Sequence, residues 1–303
     1  MTKALKRFWH NLYDRVFARK SISELIVNFI VFCIFAFFAF TYLYIFWFAF
    51  INGVKSHNEC ILKPWDLPSQ WHWENYRFLI DEFIVHEGLP YEHNFWQMLL
   101  NSLIFSIPGN IMNLMFTAMA AYVTSKYRFK GAGFFYALTL FIMMFPIYGS
   151  GGASYKLAFN LGTINSYKVI LFAWGGFNSA YLYMHAAFQG VSSTYMEAAT
   201  IDGANDYTIF FEIMLPQIRG LLFSLFIMGW IGEWNNYSGV LLTQSKLPTL
   251  AGGIYLFQSE ALQTVRQHIL YAAYFLVAIP PIVLFATFNK LLMTSVSIGG
   301  IKE

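Results

Sequence analysis

The sequence contains few charged residues for its length. Only 12% of its 303 residues are Asp, Glu, Lys or Arg, against about a quarter in a typical soluble domain. Because 57% of the residues are hydrophobic and 20% are aromatic, a soluble fold would lack the polar surface needed to cover its core. The net charge of +3 provides no basic surface for nucleic acid, so no nucleic-acid partner is expected. This composition predicts a protein that is surrounded mainly by membrane lipid.

The sequence also lacks the motifs of common enzyme and cofactor sites. It contains no Gly-Lys pair and hence no Walker A motif, and GxGxxG, GxSxG and HExxH are absent as well. Its seven His residues do not have metal-ligand spacing. Two cysteines, Cys33 and Cys60, are too few for a disulfide framework. We therefore expect no catalytic residue, no metal site and no cofactor in this chain.

Long stretches without any charge are the main feature that is present. They comprise residues 25–54, 93–125, 131–155, 169–196 and 267–289. A sixth apolar stretch, residues 220–243, carries the single charge of Glu233. About 20 apolar residues in a helix cross the hydrocarbon core, and the alternation typical of a membrane barrel is missing. The predicted fold is therefore an all-α integral membrane protein with six transmembrane helices.

The positions of Lys and Arg predict the orientation in the membrane. With six spans both termini lie on one side, and that side collects 12 of the 19 Lys and Arg residues. The short loop Tyr127-Arg128-Phe129-Lys130 is the strongest contribution. Because short cytoplasmic loops are enriched in Lys and Arg, both termini are predicted to be cytoplasmic. The expected location is the cell (cytoplasmic or inner) membrane, which the chain crosses several times.

Five consecutive segments follow from this topology. Residues 1–24 form a basic amphipathic cytoplasmic segment, 25–51 the first transmembrane helix and 52–95 an extracytoplasmic segment. Residues 96–293 form the main transmembrane domain with helices two to six, and 294–303 form a cytoplasmic tail. The amphipathic segment either lies on the inner leaflet or docks on the rest of the protein. The extracytoplasmic segment is expected to fold as short helices and turns.

The predicted cytoplasmic loop between the fourth and fifth spans, residues 191–218, has the pattern of two short helices with a hinge. Thr194, followed three residues later by Glu, has capping-box spacing. Gly203 can end the first helix in a left-handed conformation, Asn205 can cap the second, and Pro216 can stop it. Such a helical elbow is too short to form its own core. It therefore docks on a partner protein or packs on the ends of its own spans.

The same loop resembles a known family. It contains Glu197-Ala198-Ala199, then Asp202-Gly203-Ala204, then Ile213-x-Leu215-Pro216, a spacing similar to the EAA loop of ABC-importer permeases. Other segments resemble carbohydrate-uptake permeases of the maltose type, and they are Trp73-Glu74-Asn75-Tyr76, Asn101-Ser102-Leu103, Ala120-Ala121-Tyr122, Leu161-Gly162-Thr163-Ile164-Asn165, Glu233-Trp234-Asn235-Asn236-Tyr237, Leu247-Pro248-Thr249-Leu250 and Gly299-Gly300-Ile301-Lys302. The resemblance extends over roughly residues 70–303.

The resemblance implies one subunit of an ATP-driven importer. This chain would pair with a second, homologous permease above two ATPase subunits, which would bind ATP-Mg and hydrolyse it, so the chain itself is not an enzyme. An extracytoplasmic binding protein would deliver a carbohydrate substrate. The residues implied to contact the ATPase are Glu197, Ala198, Ala199, Asp202, Gly203, Ala204, Leu215 and Pro216 in the loop, with Gly299 and Gly300 in the tail.

A polar turn in the predicted fifth span is a second candidate site. Glu233 is the only acid within a span, and ionisable groups at that depth face a cavity or a partner. Asn235, Asn236 and Tyr237 follow directly. These groups can hydrogen-bond sugar hydroxyls, so the turn is a candidate for the solute path or its gate. The alternative is a polar clamp between helices.

Two other classes of protein share this hydropathy pattern. An ion-gradient-driven secondary transporter or channel would be expected to contain several intramembrane ionisable residues and internal repeats. Only Glu233 fits, and no repeat is visible. A membrane-embedded enzyme would need paired carboxylates, metal-spaced His residues or a nucleophile motif near the spans, and the sequence has none.

Overall fold

The described part of the chain is mostly helical. The structure is a computed structural model that describes residues 22–81, 84–85, 93–145, 150–173, 175–263 and 266–296. Nearly all of the basic segment at 1–24, and the tail with Gly299 and Gly300, lie outside these ranges.

The helices of the first half are α1 (Ile22–Gly53), α2 (His57–Leu62), α3 (Glu74–Asp81), α4 (Phe95–Lys126), α5 (Ala132–Met144) and α6 (Ser150–Asn160). Strands β1 (Ile84–Val85) and β2 (His93–Asn94) pair in antiparallel fashion, with Val85 opposite His93. The second half contains a 3₁₀ helix (Tyr167–Phe172), α7 (Ser179–Gly190), α8 (Thr194–Ile201), α9 (Asp206–Thr208), a π-helix (Ile209–Met214), α10 (Leu215–Gln217), α11 (Arg219–Trp234), α12 (Tyr237–Thr243), α13 (Leu250–Gln263) and α14 (Gln267–Val296).

Three helices within the described ranges are long and apolar enough to cross a membrane: α1, α4 and residues 267–289 of α14. A fourth candidate consists of Asp206–Gln217 and Arg219–Trp234, two stretches bent by 81° at their junction. The uncharged runs at 131–155 and 169–196 hold shorter helices in their described parts, α5 and α6 in the first and most of the 3₁₀ helix with α7 in the second.

Helix α4 occupies the centre of the fold. Its start is fixed by a reciprocal capping box, in which the Gln97 N–H donates to Asn94 Oδ1 at 2.9 Å and the Asn94 N–H donates to Gln97 Oε1 at 3.1 Å. The helix continues through Pro108 to Lys126. It packs against the 3₁₀ helix, α7, α11 and α13, so it links both halves of the chain.

The buried side chains form two clusters at opposite ends of α4. The first joins its N-terminal part to α3, α11, α13 and α14, and its members include Leu79, Met98, Trp230, Trp234, Leu250, Ile254, Phe257, Ile269 and Leu270. The second joins its C-terminal part to α7 and to residues 199–218, and its members include Leu114, Ala118, Ala121, Tyr122, Tyr181, Met184, Phe188, Ala199, Ile209, Phe210 and Met214. By contrast, α1 packs along α14 and leaves most of its Phe, Ile and Val side chains exposed, as a lipid-facing helix does.

A buried lysine holds the segment that follows α1. Lys55 is 0% exposed, and its Nζ donates to the carbonyl oxygens of Lys63 at 2.8 Å and Pro64 at 3.1 Å, and to Asn52 Oδ1 at 3.2 Å. Burial lowers the pKa of the Lys55 ammonium, since removing a cation from water is costly. Asn75 Nδ2 donates to the Lys55 carbonyl at 3.0 Å, which ties α3 to the same point.

We expect Lys55→Met to loosen residues 52–81. Methionine keeps most of the length of the side chain but has no donor, so the Lys63 and Pro64 carbonyls would each lose one hydrogen bond. Limited proteolysis of the purified protein should then cut this segment about threefold faster or more. Lys63→Met, at an exposed position, is the matched control and should be cut like the wild type. Equal cleavage of the Lys55 variant and the wild type would show that the ammonium does not hold the segment.

Candidate functional site

The elbow predicted for residues 191–218 is present and turns at Gly203. Its φ is +82°, in the left-handed region that favours glycine. The Ala204 N–H donates to the Ala199 carbonyl at 2.9 Å, which closes the end of α8. Asn205 Oδ1 then accepts from the Thr208 N–H at 2.8 Å and caps α9. The predicted roles of Gly203 and Asn205 in the backbone are therefore confirmed.

Helix α8 begins at Thr194 as predicted, but the capping box predicted there is wrong. Thr194 is already the first helical residue, and the side chain of the capping residue Ser193 accepts no hydrogen bond. Instead the Thr194 N–H donates to Ser192 Oγ at 3.3 Å, and Ser192 Oγ–H donates to Thr194 Oγ1 at 3.0 Å. The helix starts one residue earlier than the capping box requires, because a second serine supplies the acceptor.

The second half of the elbow is not a plain α-helix. It passes from α9 into the π-helix Ile209–Met214, in which the Leu215 N–H donates to the Phe210 carbonyl five residues back. Such wider turns are rare and are frequent at functional sites. The helical segment ends at Gln217, one residue after the predicted stop at Pro216, and the chain then bends by 81° into α11.

The elbow has one face against its own spans and one face exposed. Ala199, Ile209, Phe210 and Met214 are buried in the second cluster with α4 and α7. Ile201, by contrast, is 86% exposed. Of the residues implied to contact an ATPase, those at the surface are Glu197, Ala198, Asp202, Gly203 and Pro216. Ala204 and Leu215 are half-buried and Ala199 is buried. The elbow is thus docked on this chain and still offers a surface to another.

Helix α4 and the residue after it hold the elbow at two points. Lys126 Nζ donates to the Val191 carbonyl just before α8. Tyr127 Oη–H donates to Asp206 Oδ1 at 2.8 Å, just after the turn. Burial, with the hydrogen bonds to Tyr122 and Asp206, raises the pKa of Tyr127, so its hydroxyl keeps the donated proton. The sequence places Lys126 and Tyr127 in a basic loop but has no signal for these pairings, because the partners lie 65 and 79 residues away.

The polar turn predicted as a solute path or gate begins with Glu233 in the last turn of α11 and continues beyond the end of that helix. Glu233 is exposed, and Asn236 Nδ2 donates to Glu233 Oε2 at 3.4 Å. Asn236 Oδ1 accepts from the Gly239 N–H at 3.1 Å and so caps α12. Asn235 Nδ2 donates to the Ile231 carbonyl at 2.8 Å. Part of this turn therefore serves local helix structure.

A cavity of about 550 Å³ adjoins this turn. Its polar and aromatic lining residues are Asn235, Tyr237, Tyr255, Gln258 and Tyr274, with apolar residues of α13 and α14 and Phe46 of α1. The rings of Tyr237 and Tyr255 are stacked, with centroids 4.5 Å apart and an interplanar angle of 17°. Of the four residues predicted from the sequence, only Asn235 and Tyr237 line it.

Three of these lining residues, Tyr255, Gln258 and Tyr274, were not predicted from the sequence. They lie on α13 and α14, and only the tertiary fold brings them to one cavity with Asn235 and Tyr237. Phenol and amide groups beside stacked rings can hydrogen-bond hydroxyl groups and pack on the apolar face of a ring. The cavity therefore has a mainly apolar lining with a few hydrogen-bonding groups, as many ligand sites do.

Comparison with known proteins identifies the type of protein to which these features belong. The family described as the binding-protein-dependent transport system inner membrane component matches residues 113–298. The chain is 25% identical to the diacetylchitobiose uptake system permease protein NgcG of Streptomyces coelicolor, over 82% of this chain and 80% of that protein. It is 29% identical to the arabinooligosaccharides transport system permease protein AraQ of Halalkalibacterium halodurans, over 69% of this chain and 75% of that protein.

Other relatives and a solved structure agree with this assignment. The sn-glycerol-3-phosphate transport system permease protein UgpE of Salmonella typhi is 28% identical over 65% of this chain and 70% of its own length. The fold is similar to a chain of a bacterial ABC transporter involved in the import of the acidic polysaccharide alginate. That likeness has a TM-score of 0.72 at 22% identity and covers 90% of this chain and 98% of the other.

These findings favour an ATP-driven importer over an ion-gradient-driven transporter or channel. The relatives are permease subunits, not enzymes, and they work in membrane-bound transporter complexes. The chain belongs to the family of binding-protein-dependent transport system inner membrane components, and it is a permease subunit of an ABC importer.

Proposed function

We propose that this subunit carries sugars or oligosaccharides, delivered by an extracytoplasmic binding protein, across the cell membrane. The observation that supports ATP-driven coupling most directly is the elbow, which packs on its own spans yet exposes Glu197, Ala198 and Asp202. In this proposal two ATPase subunits, identical or different, lie beneath the membrane, and the exposed face of α8 fits a cleft on one of them. ATP-Mg binds to the ATPase subunits and not to this chain.

The proposed topology has six spans with both termini cytoplasmic. The spans are α1, α4, the α5–α6 stretch, the 3₁₀–α7 stretch, α11 and α14. The segment boundaries are those expected from the sequence, with 191–218 as the cytoplasmic coupling loop and Gly299-Gly300 reaching between the ATPase subunits. A second, homologous permease lies beside this chain, and the solute path runs between the two.

Coupling in this scheme is a two-state process. ATP binding closes the ATPase subunits, the elbow carries that closure into the spans, and the path opens outward to receive solute. Hydrolysis restores the inward-facing state. Changing the occupancy of one state from 1:99 to 99:1 requires about 5.5 kcal/mol of differential binding. A rigid elbow is needed to deliver it, and the buried face of residues 199–214 provides that rigidity.

The carbohydrate substrate is inferred from the chemistry of the cavity and from the relatives. NgcG and AraQ are permeases for diacetylchitobiose and arabinooligosaccharides by their names. The cavity beside the polar turn combines the rings of Tyr237 and Tyr255 with the amide of Asn235, and such groups can contact the apolar face and the hydroxyls of a sugar. We assign the solute path to this cavity, and Glu233 and Asn236 to its gate.

The elbow can be tested by two substitutions on its exposed side. Gly203→Val places a β-branched residue at φ +82°, which costs about 1–3 kcal/mol, although an added Cβ meets no described atom within 4 Å. Glu197→Lys reverses a charge on the surface proposed to meet the ATPase. Both should lower uptake at least about tenfold while the ATPase either dissociates or hydrolyses ATP without transport.

Assembly is followed by co-purification of the ATPase, and transport by uptake into reconstituted vesicles. Glu212→Lys, an equally exposed charge reversal on the π-helix, is the matched control and should transport normally. Wild-type uptake by both the Gly203 and Glu197 variants would refute the role of the elbow.

The cavity can be tested by Asn235→Ala and Tyr255→Ala. Each removes a hydrogen-bonding or stacking group worth about 1 kcal/mol, so the apparent KM for the solute should rise about fivefold. ATPase co-purification should be unchanged. Tyr183→Ala, at an exposed position on α7, serves as the control. An unchanged KM in both cavity variants would place the solute path elsewhere.

The substrate class itself is tested with the binding protein of the same system. Ligands that co-purify with that protein should be carbohydrates, and cells that lack this chain should fail to take them up. A non-carbohydrate ligand whose uptake depends on this chain would overturn the proposed substrate while leaving the importer assignment in place.

A further inference from the structure

Hydrogen bonds at its two ends connect α4 to the elbow and to Pro248 and Leu250, between α12 and the body of α13. From these contacts we propose that α4 is the rod that transmits elbow movement to residues 244–249, the loop that joins α12 and α13, two helices that line the solute cavity. This inference rests on the proposed importer mechanism and names the residues that pass its motion on.

The elbow end of the rod consists of the last turn of α4 and the following residue. Lys126 holds the carbonyl of Val191 before α8, and Tyr127 holds the carboxylate of Asp206 after it. The elbow is therefore fastened to α4 on both sides of its exposed helix. A displacement of α8 by a partner moves both fastening points, and α4 follows.

The middle of the rod is fastened to α11. Asn110 Nδ2 donates to the Phe226 carbonyl at 2.7 Å, and Gly229 lets the two helices approach closely. A Cβ at Gly229 would lie 2.4 Å from Asn110 Oδ1, so no larger residue fits without a shift. This contact keeps α4 and α11 together and prevents α4 from sliding independently of the span that follows the elbow.

The far end of the rod is fastened to the loop between α12 and α13. Asn101 Nδ2 donates to the Pro248 carbonyl at 3.0 Å, and the Leu250 N–H donates to Ser102 Oγ at 2.8 Å. Tyr167 Oη–H fixes the Asn101 amide by donating to its Oδ1 at 2.6 Å. The loop separates Tyr237 on α12 from Tyr255 on α13, so its movement changes the spacing of the two stacked rings.

The rod spans the distance that coupling requires. Lys126 lies 25 residues after Asn101, which corresponds to about 38 Å of helix at 1.5 Å per residue, longer than the hydrocarbon core. Asn101 and Ser102 are buried, where an unpaired polar group is costly. The contacts at the far end therefore persist while the helix moves, and the loop moves with it.

The test uses the whole transporter, reconstituted with its binding protein and solute, and measures ATP hydrolysed per solute molecule transported. Tyr127→Phe keeps the ring and removes only the hydroxyl that donates to Asp206. Ser102→Ala removes the hydroxyl that accepts from Leu250. Each should raise the ATP cost per solute about threefold or more, with normal co-purification of the ATPase. Tyr207→Phe, on the residue next to Asp206, is the matched control and should leave the ratio unchanged.

Combining Tyr127→Phe with Ser102→Ala distinguishes transmission along α4 from two independent local defects. Sites this far apart normally act independently, so their effects multiply. If α4 transmits the movement, the hydrogen bonds of Tyr127 and Ser102 act in series, and breaking either one already interrupts transmission. The double variant should then use at most slightly more ATP per solute than the poorer single variant. Asn101→Ala, combined in the same way, provides a second variant of the far end.

The proposal would be overturned if Tyr127→Phe and Ser102→Ala both hydrolysed as much ATP per solute as the wild type. It would also be overturned if the effect of the double variant equalled the product of the two single effects. These outcomes are distinct from failure of the proposed function itself. In that case the wild-type assembly would hydrolyse ATP without moving carbohydrate, or would contain no ATPase at all.

Discussion

The fold depends on polar side chains that satisfy backbone groups inside an apolar protein. In the hydrocarbon region of a membrane there is no water to hydrogen-bond an unpaired carbonyl or N–H. Where helical structure breaks, the protein itself must therefore supply a donor or acceptor. Helix α4 supplies several of them. Asn101 and Ser102 pair with the irregular backbone around Pro248, and Asn110 pairs with a carbonyl of α11. Polar residues in α4 are thus what allow non-helical loops to lie against the apolar core.

The same rule explains the arrangement of the elbow. Its inner face is apolar and packs on α4 and α7, while Lys126 and Tyr127 bind it at both sides. These contacts fix the elbow to its own spans and leave Glu197, Ala198 and Asp202 exposed. In a permease, a coupling segment needs both properties, since a loosely held segment would move without moving the helices.

Local geometry was predictable wherever a single residue type has a special backbone role. The left-handed turn at Gly203 and the cap at Asn205 follow from glycine's missing Cβ and from the short amide side chain. The capping box expected at Thr194 does not form, and the Thr194 N–H donates to Ser192 Oγ. The π-helix after α9 could not be expected either, since a widened turn reflects packing around Phe210 and Met214 and leaves no period in the sequence.

Hydropathy and charge by themselves determined that this chain lies in a membrane as a bundle of helices, because twenty uncharged apolar residues have few other stable environments. The spacing of Glu197, Gly203 and Pro216 likewise located the elbow. The tertiary structure alone decided which of the polar residues meet. Asn235 and Tyr237 line a cavity with residues of α13 and α14, whereas Glu233 does not. The physical reason is that contacts between residues far apart in sequence depend on how helices pack, and packing is set by side-chain shape rather than by any local pattern.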